Sequence, residues 1–156
     1  MLAEFRSEPE RNLHIVDDSY NGATESELRL ARTSGRINLL SDQRRMFPHS
    51  GLISVESEAL ILSSWRSIPR ANIINAQAKF TEVYGRAQAA GVRAGNAASF
   101  GLFGSLGKPL VLTLRNGEPI YLLIGFRYLS GINQARRWAP QIREWIESNL
   151  EPPDSA

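Results

Sequence analysis

The stretch SFGLFGSLGKP, residues 99–109, carries the side chains and spacings that most invite a chemical reading. Gly101 followed by Gly107-Lys108 comes near G-x-x-x-x-G-K-[ST], in which backbone N–H groups cradle phosphates and a hydroxyl holds Mg²⁺. Here the spacing is one residue too long, Leu102 stands where glycine is needed, and Pro109 replaces the hydroxyl residue. A strand pattern follows, where a phosphate loop should open a helix. The serine elbow G-x-S-x-G fails as well, because Phe103 takes the place of its first glycine. This loop is excluded as a nucleotide site.

Other chemistry is sparse. The chain has no cysteine, which removes disulfide scaffolds, thiolate metal sites and cysteine catalysis. Its two histidines, His14 and His49, make no pair at ligand spacing, so no metal is expected. Glu56 and Glu58 lie two apart and read as a solvated hairpin end instead of a catalytic carboxylate pair. No catalytic residues are assigned, and the expectation is a non-enzyme without cofactors.

At 156 residues the chain fits one domain large enough to build its own core. The formal charge is only +2, from 18 basic and 16 acidic residues. That balance gives little support to a charge-driven partner. Strand faces with few basic or aromatic residues argue against nucleic acid. The longest apolar run, IYLLIGF at 120–126, is far shorter than the roughly 20 residues of a membrane helix. A cytoplasmic protein is expected, with peripheral membrane contact as a further reading.

The elements that must position any site come next. Residues 1–25 are polar and aperiodic and read as a flexible or loosely docked arm. Thr24 and Glu27 have capping-box spacing for a short helix, while Leu28, Leu30, Ile37 and Leu39 alternate as in a strand. Both readings stand. GLISVES and ALILSS suggest two strands joined at Ser57-Glu58. In ANIINAQAKFTEV, Ile74, Ala76, Ala78 and Phe80 fall on one face.

The clearest strand pair is KPLVLTLRNGEPIYLLIGF. A strict two-residue loop at Asn116-Gly117 would put Leu110, Leu112 and Leu114 on the opposite face from Ile120, Leu122 and Ile124. A three-residue loop over 115–117, with Gly117 at positive φ, puts both sets on one face, and that register is predicted. Towards the C-terminus the period changes. Ala135, Trp138, Ala139, Ile142, Trp145, Ile146 and Asn149 share a helix face, with Ser130 as a cap and Pro140 as a kink or a fresh start. Both tryptophans read as core on this spacing. EPPDSA, within the tail 150–156, ends the pattern.

The order GLISVESEALILSSWRSIPRANIINAQ, then KPLVLTLRNGEPIYLLIGF, then a tryptophan-bearing last helix, resembles bacterial pleckstrin-homology-like (PH-like, GRAM-like) domains. The resemblance covers residues 35–149 and rests on order and pattern, not on a diagnostic motif. It implies a mainly β fold: a partly open barrel of about seven antiparallel strands, capped by one C-terminal α-helix. The domain is then 26–149, with a long Gly/Ala-rich connection at 84–108. The resemblance further implies a binding or scaffolding module for a protein partner, with contact to anionic lipid as an additional reading. The alternative is a structural accessory domain of a membrane or envelope complex.

Two clusters are candidates for that contact. If 36–40 is the first strand, residues 41–50 occupy the loop that binds lipid headgroups in eukaryotic relatives of the fold. Arg44, Arg45, Met46 and Phe47 lie there, and Arg66 and Arg70 flank a second turn. Against this, Met46 and Phe47 would equally tuck into the barrel end. In the long connection, Phe100, Leu102 and Phe103 either insert into a bilayer or partner groove, or fold back over the barrel. Oligomeric state is left open.

Overall fold

The Asn116-Gly117 hairpin adopts the bulged register. Leu110 faces Leu122 and Leu112 faces Ile120, so even-numbered positions meet even-numbered ones. Gly117 has φ of 110°, which a side chain would strain. In this computed structural model the description covers residues 18–33, 43–85, 107–127 and 132–148, without the side chains of Gln43 and Arg44.

Seven strands form one antiparallel sheet: β1 (Asp18–Thr24), β2 (His49–Val55), β3 (Ala59–Leu62), β4 (Arg66–Pro69), β5 (Ile73–Ala78), β6 (Leu110–Leu114) and β7 (Ile120–Ile124). Their order is β4-β3-β2-β1-β7-β6-β5, and the sheet curls into a half-barrel with β4 and β5 at its two edges. Helix α2 (Ala135–Glu147) is the C-terminal helix, and it packs against β5. The mainly β architecture closed by this helix is as the sequence led us to expect. A second helix, α1 (Glu25–Thr33), lies between β1 and β2, and short 3₁₀ turns span Gln43–Met46 and Arg70–Asn72. No helix among the described residues is long and apolar enough to cross a membrane.

The arm boundary at residue 25 needs correcting. Residues 18–24 are β1, bonded to β2 on one side and β7 on the other, in the middle of the sheet. Asn21 and Gly22 break the alternation of large apolar residues, and Gly22 is there for a steric reason. A Cβ at that position would lie 2.5 Å from Trp65 Cζ3. Residues 1–17 and the tail lie outside the described residues, as do 36–40, the proposed first strand.

Two apolar clusters sit on opposite faces of the sheet. On the concave face, Tyr20, Ile53, Leu62, Ile68, Leu112, Leu122 and Ile124 meet Trp138, Ile142 and Trp145 of α2. On the convex face, Ala23, Val111, Tyr121 and Leu123 are covered by Leu28 of α1, by Met46 and Phe47, and by Val83 and Tyr84. Every residue of β7 is therefore buried. That accounts for its unbroken apolar run, since a strand covered on both faces shows no alternation.

Two further expectations are corrected. A β-bulge between Ile73 and Asn75 shifts the register of β5, so Ile73 points into the core and Ile74 is left 53% exposed. Phe80 belongs to the convex cluster, not to the face of Ala76. In α2, Pro140 sits inside a helix that runs on through it, on the exposed side, and Gln134 precedes the first turn. Ser130 and Asn149 lie outside the described residues.

Ile142 is fully buried between helix and sheet. Ile142→Ala should lower unfolding stability by about 2–5 kcal/mol, read from the urea midpoint at unchanged slope.

Candidate functional site

The loop proposed for headgroup contact is rearranged. Met46 and Phe47 are only 3% and 4% exposed, packed with Tyr84 and the convex cluster, with Phe47 edge-on to Tyr84 at 5.3 Å. Burial gains about 1.5–3 kcal/mol for side chains of this size, which explains why they turn inward. They are removed as surface contacts. Arg45 is exposed beside them. The side chain of Arg44 lies outside the described residues, and so do Phe100, Leu102 and Phe103 and all of 86–106.

Arg66 and Arg70 sit at opposite ends of β4 and its following turn and do not form one site. Arg70 is a clamp. Its Nη1 donates to the Ser57 carbonyl at 2.7 Å and its Nη2 to Ser148 Oγ at 2.8 Å, with the guanidinium 5.1 Å from the Trp145 ring centre. A cation at the C-terminal end of α2 also suits the helix dipole. The guanidinium of Arg66 lies over Trp65 at 4.7 Å.

Trp65 belongs to a cluster that sequence reasoning missed. The His49 ring stacks on it at 4.1 Å with planes 3° apart, and Tyr20 stacks at 6.3 Å while its hydroxyl donates to the Ser63 carbonyl at 2.6 Å. His49 Nε2 is 2.8 Å from Glu27 Oε1, and since an ionised carboxylate only accepts, the ring donates. The other oxygen of Glu27 accepts the Thr24 N–H at 2.8 Å, and Thr24 Oγ1 accepts the Glu27 N–H at 3.3 Å. The capping box legible at Thr24 and Glu27 is thus formed. Glu118, from the β6–β7 loop, accepts both the N–H and the hydroxyl of Ser26. The N-terminus of α1 is fixed to the sheet by two carboxylates placed at its positive end.

Two pKa shifts follow. Burial works to raise the Glu27 carboxyl, but the Thr24 N–H and the His49 ring outweigh it and hold the group below its ordinary value of 4.5. The Ser26 hydroxyl does the same for Glu118, against slight desolvation and with help from the Arg66 charge. Among the described residues, Glu27 is the hydrogen-bond partner of His49, and no group of three His, Asp or Glu could hold a metal ion. The arrangement docks a helix.

A different surface runs along β5. β5 is an edge strand. Its Lys79 N–H donates to the Pro109 carbonyl at 3.2 Å, and because antiparallel ladders alternate, Gln77 and Asn75 turn their backbone groups to β6. Ala76 and Ala78 then turn theirs away from β6, Ala76 fully buried and Ala78 half-buried, with Ile74 and Gln77 exposed beside them. The outward N–H of Ala76 is taken by the Oδ1 of Asn75 at 2.9 Å. No partner takes the outward groups of Ala78 among the described residues.

No protein-family model matches this sequence, and neither a curated protein nor a solved structure does.

A group with a depressed folded pKa contributes stability above its unfolded pKa and loses it as pH falls through the folded value. Stability should therefore drop as pH falls through the acid range below 4.5, and Glu27→Gln should flatten that slope, as followed by urea titrations at stepped pH.

Proposed function

We propose that this chain is a non-catalytic binding module of the PH-like kind, which engages a protein partner along the free edge of β5. The observation that carries the reading is the edge itself: a strand bonded to β6 on one side and to no other strand among the described residues, with Ile74 exposed at its bulge and the half-buried Ala78 turning its backbone groups away from β6. Exposed strand edges accept extended segments through main-chain hydrogen bonds, and side chains alongside set selectivity. The opposite edge is poorer in this respect, because β4 is four residues long and ends at Pro69. The strand order, with a C-terminal helix across the concave face, supports the PH-like reading. Anionic lipid recedes as a ligand, since the apolar half of its proposed loop is buried.

A photo-crosslinking residue at position 74 should give a defined protein adduct in cell extract, and the same residue at Leu52, exposed on β2, should not. Ile74→Lys should abolish capture of the partner identified in that adduct. Equal labelling from both positions would reject the β5 edge. Co-sedimentation with anionic vesicles that is lost in Arg45→Glu would instead restore the lipid reading.

A further inference from the structure

The outer face of α2 is charged against its own dipole. Arg136, Arg137, Pro140, Arg143, Glu144 and Glu147 are all exposed, while Trp138, Ala139, Ile142 and Trp145 are buried against the sheet. At 3.6 residues per turn the six exposed positions share one side of the helix, with Pro140 near its middle. The N-terminal end of that side is basic and the C-terminal end acidic, with no acidic residue in the first turn and no basic one in the last. A helix favours the reverse order, because its dipole is positive at the N-terminus and negative at the C-terminus.

The sheet answers this only on the inner side. Arg70 meets the C-terminal end through Ser148, and the Asp18 carboxylate and the Gln134 side chain lie together against Gly125 at the N-terminal end. The first helical N–H, that of Ala135, is taken by Asn133 Oδ1 at 2.8 Å. The outer side is left to the arginines and glutamates themselves.

A second α2 laid antiparallel answers the outer side. A two-fold axis near Gln141 brings Arg136 to Glu147 of the second copy and Arg137 to its Glu144, and the symmetry repeats both pairs. Each arginine then stands at the negative end of the other helix's dipole and each glutamate at the positive end. What is unfavourable within one helix becomes favourable between two. A parallel alignment would set like charges together.

We propose that this face of α2 is a self-association surface, occupied by a second copy of the chain held antiparallel across a two-fold axis. It is independent of the β5 reading, because it uses the side of α2 turned away from the sheet. The helix has 13 residues, a length of roughly 20 Å, and its outer face is polar, so the dimer is weak and salt-sensitive.

Sedimentation of the full chain over a range of concentrations should show a monomer–dimer equilibrium that weakens as salt rises. Arg136→Glu with Arg137→Glu should weaken the dimer about ten-fold or more. The same pair should raise the urea midpoint of the dilute monomer, since each glutamate suits its own helix dipole, so misfolding cannot account for the loss. Glu144→Arg with Glu147→Arg should weaken the dimer likewise. Mixed together, these two variants should pair with each other, and all four substitutions in one chain should restore self-association. Because the chain has no cysteine, Pro140→Cys should oxidise to a covalent dimer faster than Leu30→Cys, exposed on α1. A chain that stays monomeric at every concentration in low salt overturns the proposal. So does self-association that survives both charge reversals, or a mixture of folded variants that fails to pair. Equal oxidation at positions 140 and 30 removes α2 from the contact.

Discussion

The sheet is continuous only because β1 and β7 are bonded to each other, and nearly every other contact depends on that seam. Tyr20 pairs with Ile124 and Thr24 with Ile120, so one ladder joins the run β4-β3-β2-β1 to the run β7-β6-β5. β7 is buried along its whole length because the seam is covered twice, by α2 on the concave face and by α1 with the Met46–Phe47 turn on the convex face. Neither layer could form on a separated half-sheet. α2 needs Tyr20 and Ile53 from one run and Leu112 and Leu122 from the other, and α1 begins directly where β1 ends.

That dependence explains why the polar contacts gather at the start of α1. A nine-residue helix is marginal alone, and this one buries only Leu28 fully. Its place is set by carboxylates from two directions: Glu27 of the helix reaching back to His49 of β2, and Glu118 reaching over from the β6–β7 loop. Each is held in its charged form by the donors it satisfies, which makes the docking electrostatic as well as apolar. Trp65 completes the joint by packing on Gly22 and His49 together, so that the β3–β4 turn is tied to β1 through a ring and not through a ladder.

Where residues kept a regular period, the fold was legible from them. The even-numbered sets of β6 and β7 determined a bulged hairpin, and Trp138, Ile142 and Trp145 determined the buried face of α2. What escaped was of three kinds. β1 was hidden because Gly22 must be small for Trp65, and Asn21 adds no apolar signal. Ile74 reads as sharing a face with Ala76 because a bulge inverts the face without changing the composition, and only the partner strand reveals it. Met46 and Phe47 were offered as surface contacts because a second core on the convex face cannot be inferred from one face's alternation. The β5 edge was hidden for a related reason: which strand ends a sheet depends on long-range pairing order, and the Asn75 cap follows from that order.

The same order constrains how a partner can be held. In a half-barrel whose concave face is filled by α2 and whose convex face is covered over β1, β6 and β7, what remains among the described residues includes the outer face of β2 and the two ends of the strand series. One of them, β4, is short and stopped by a proline, and the Arg70 clamp at its exit fastens the following turn to α2. β5 is longer, and it carries a bulge and the packing of α2. Its bulge turns an isoleucine outward. The bulge, the Asn75 amide over the Ala76 N–H and the full burial of Ala76 all blunt that edge.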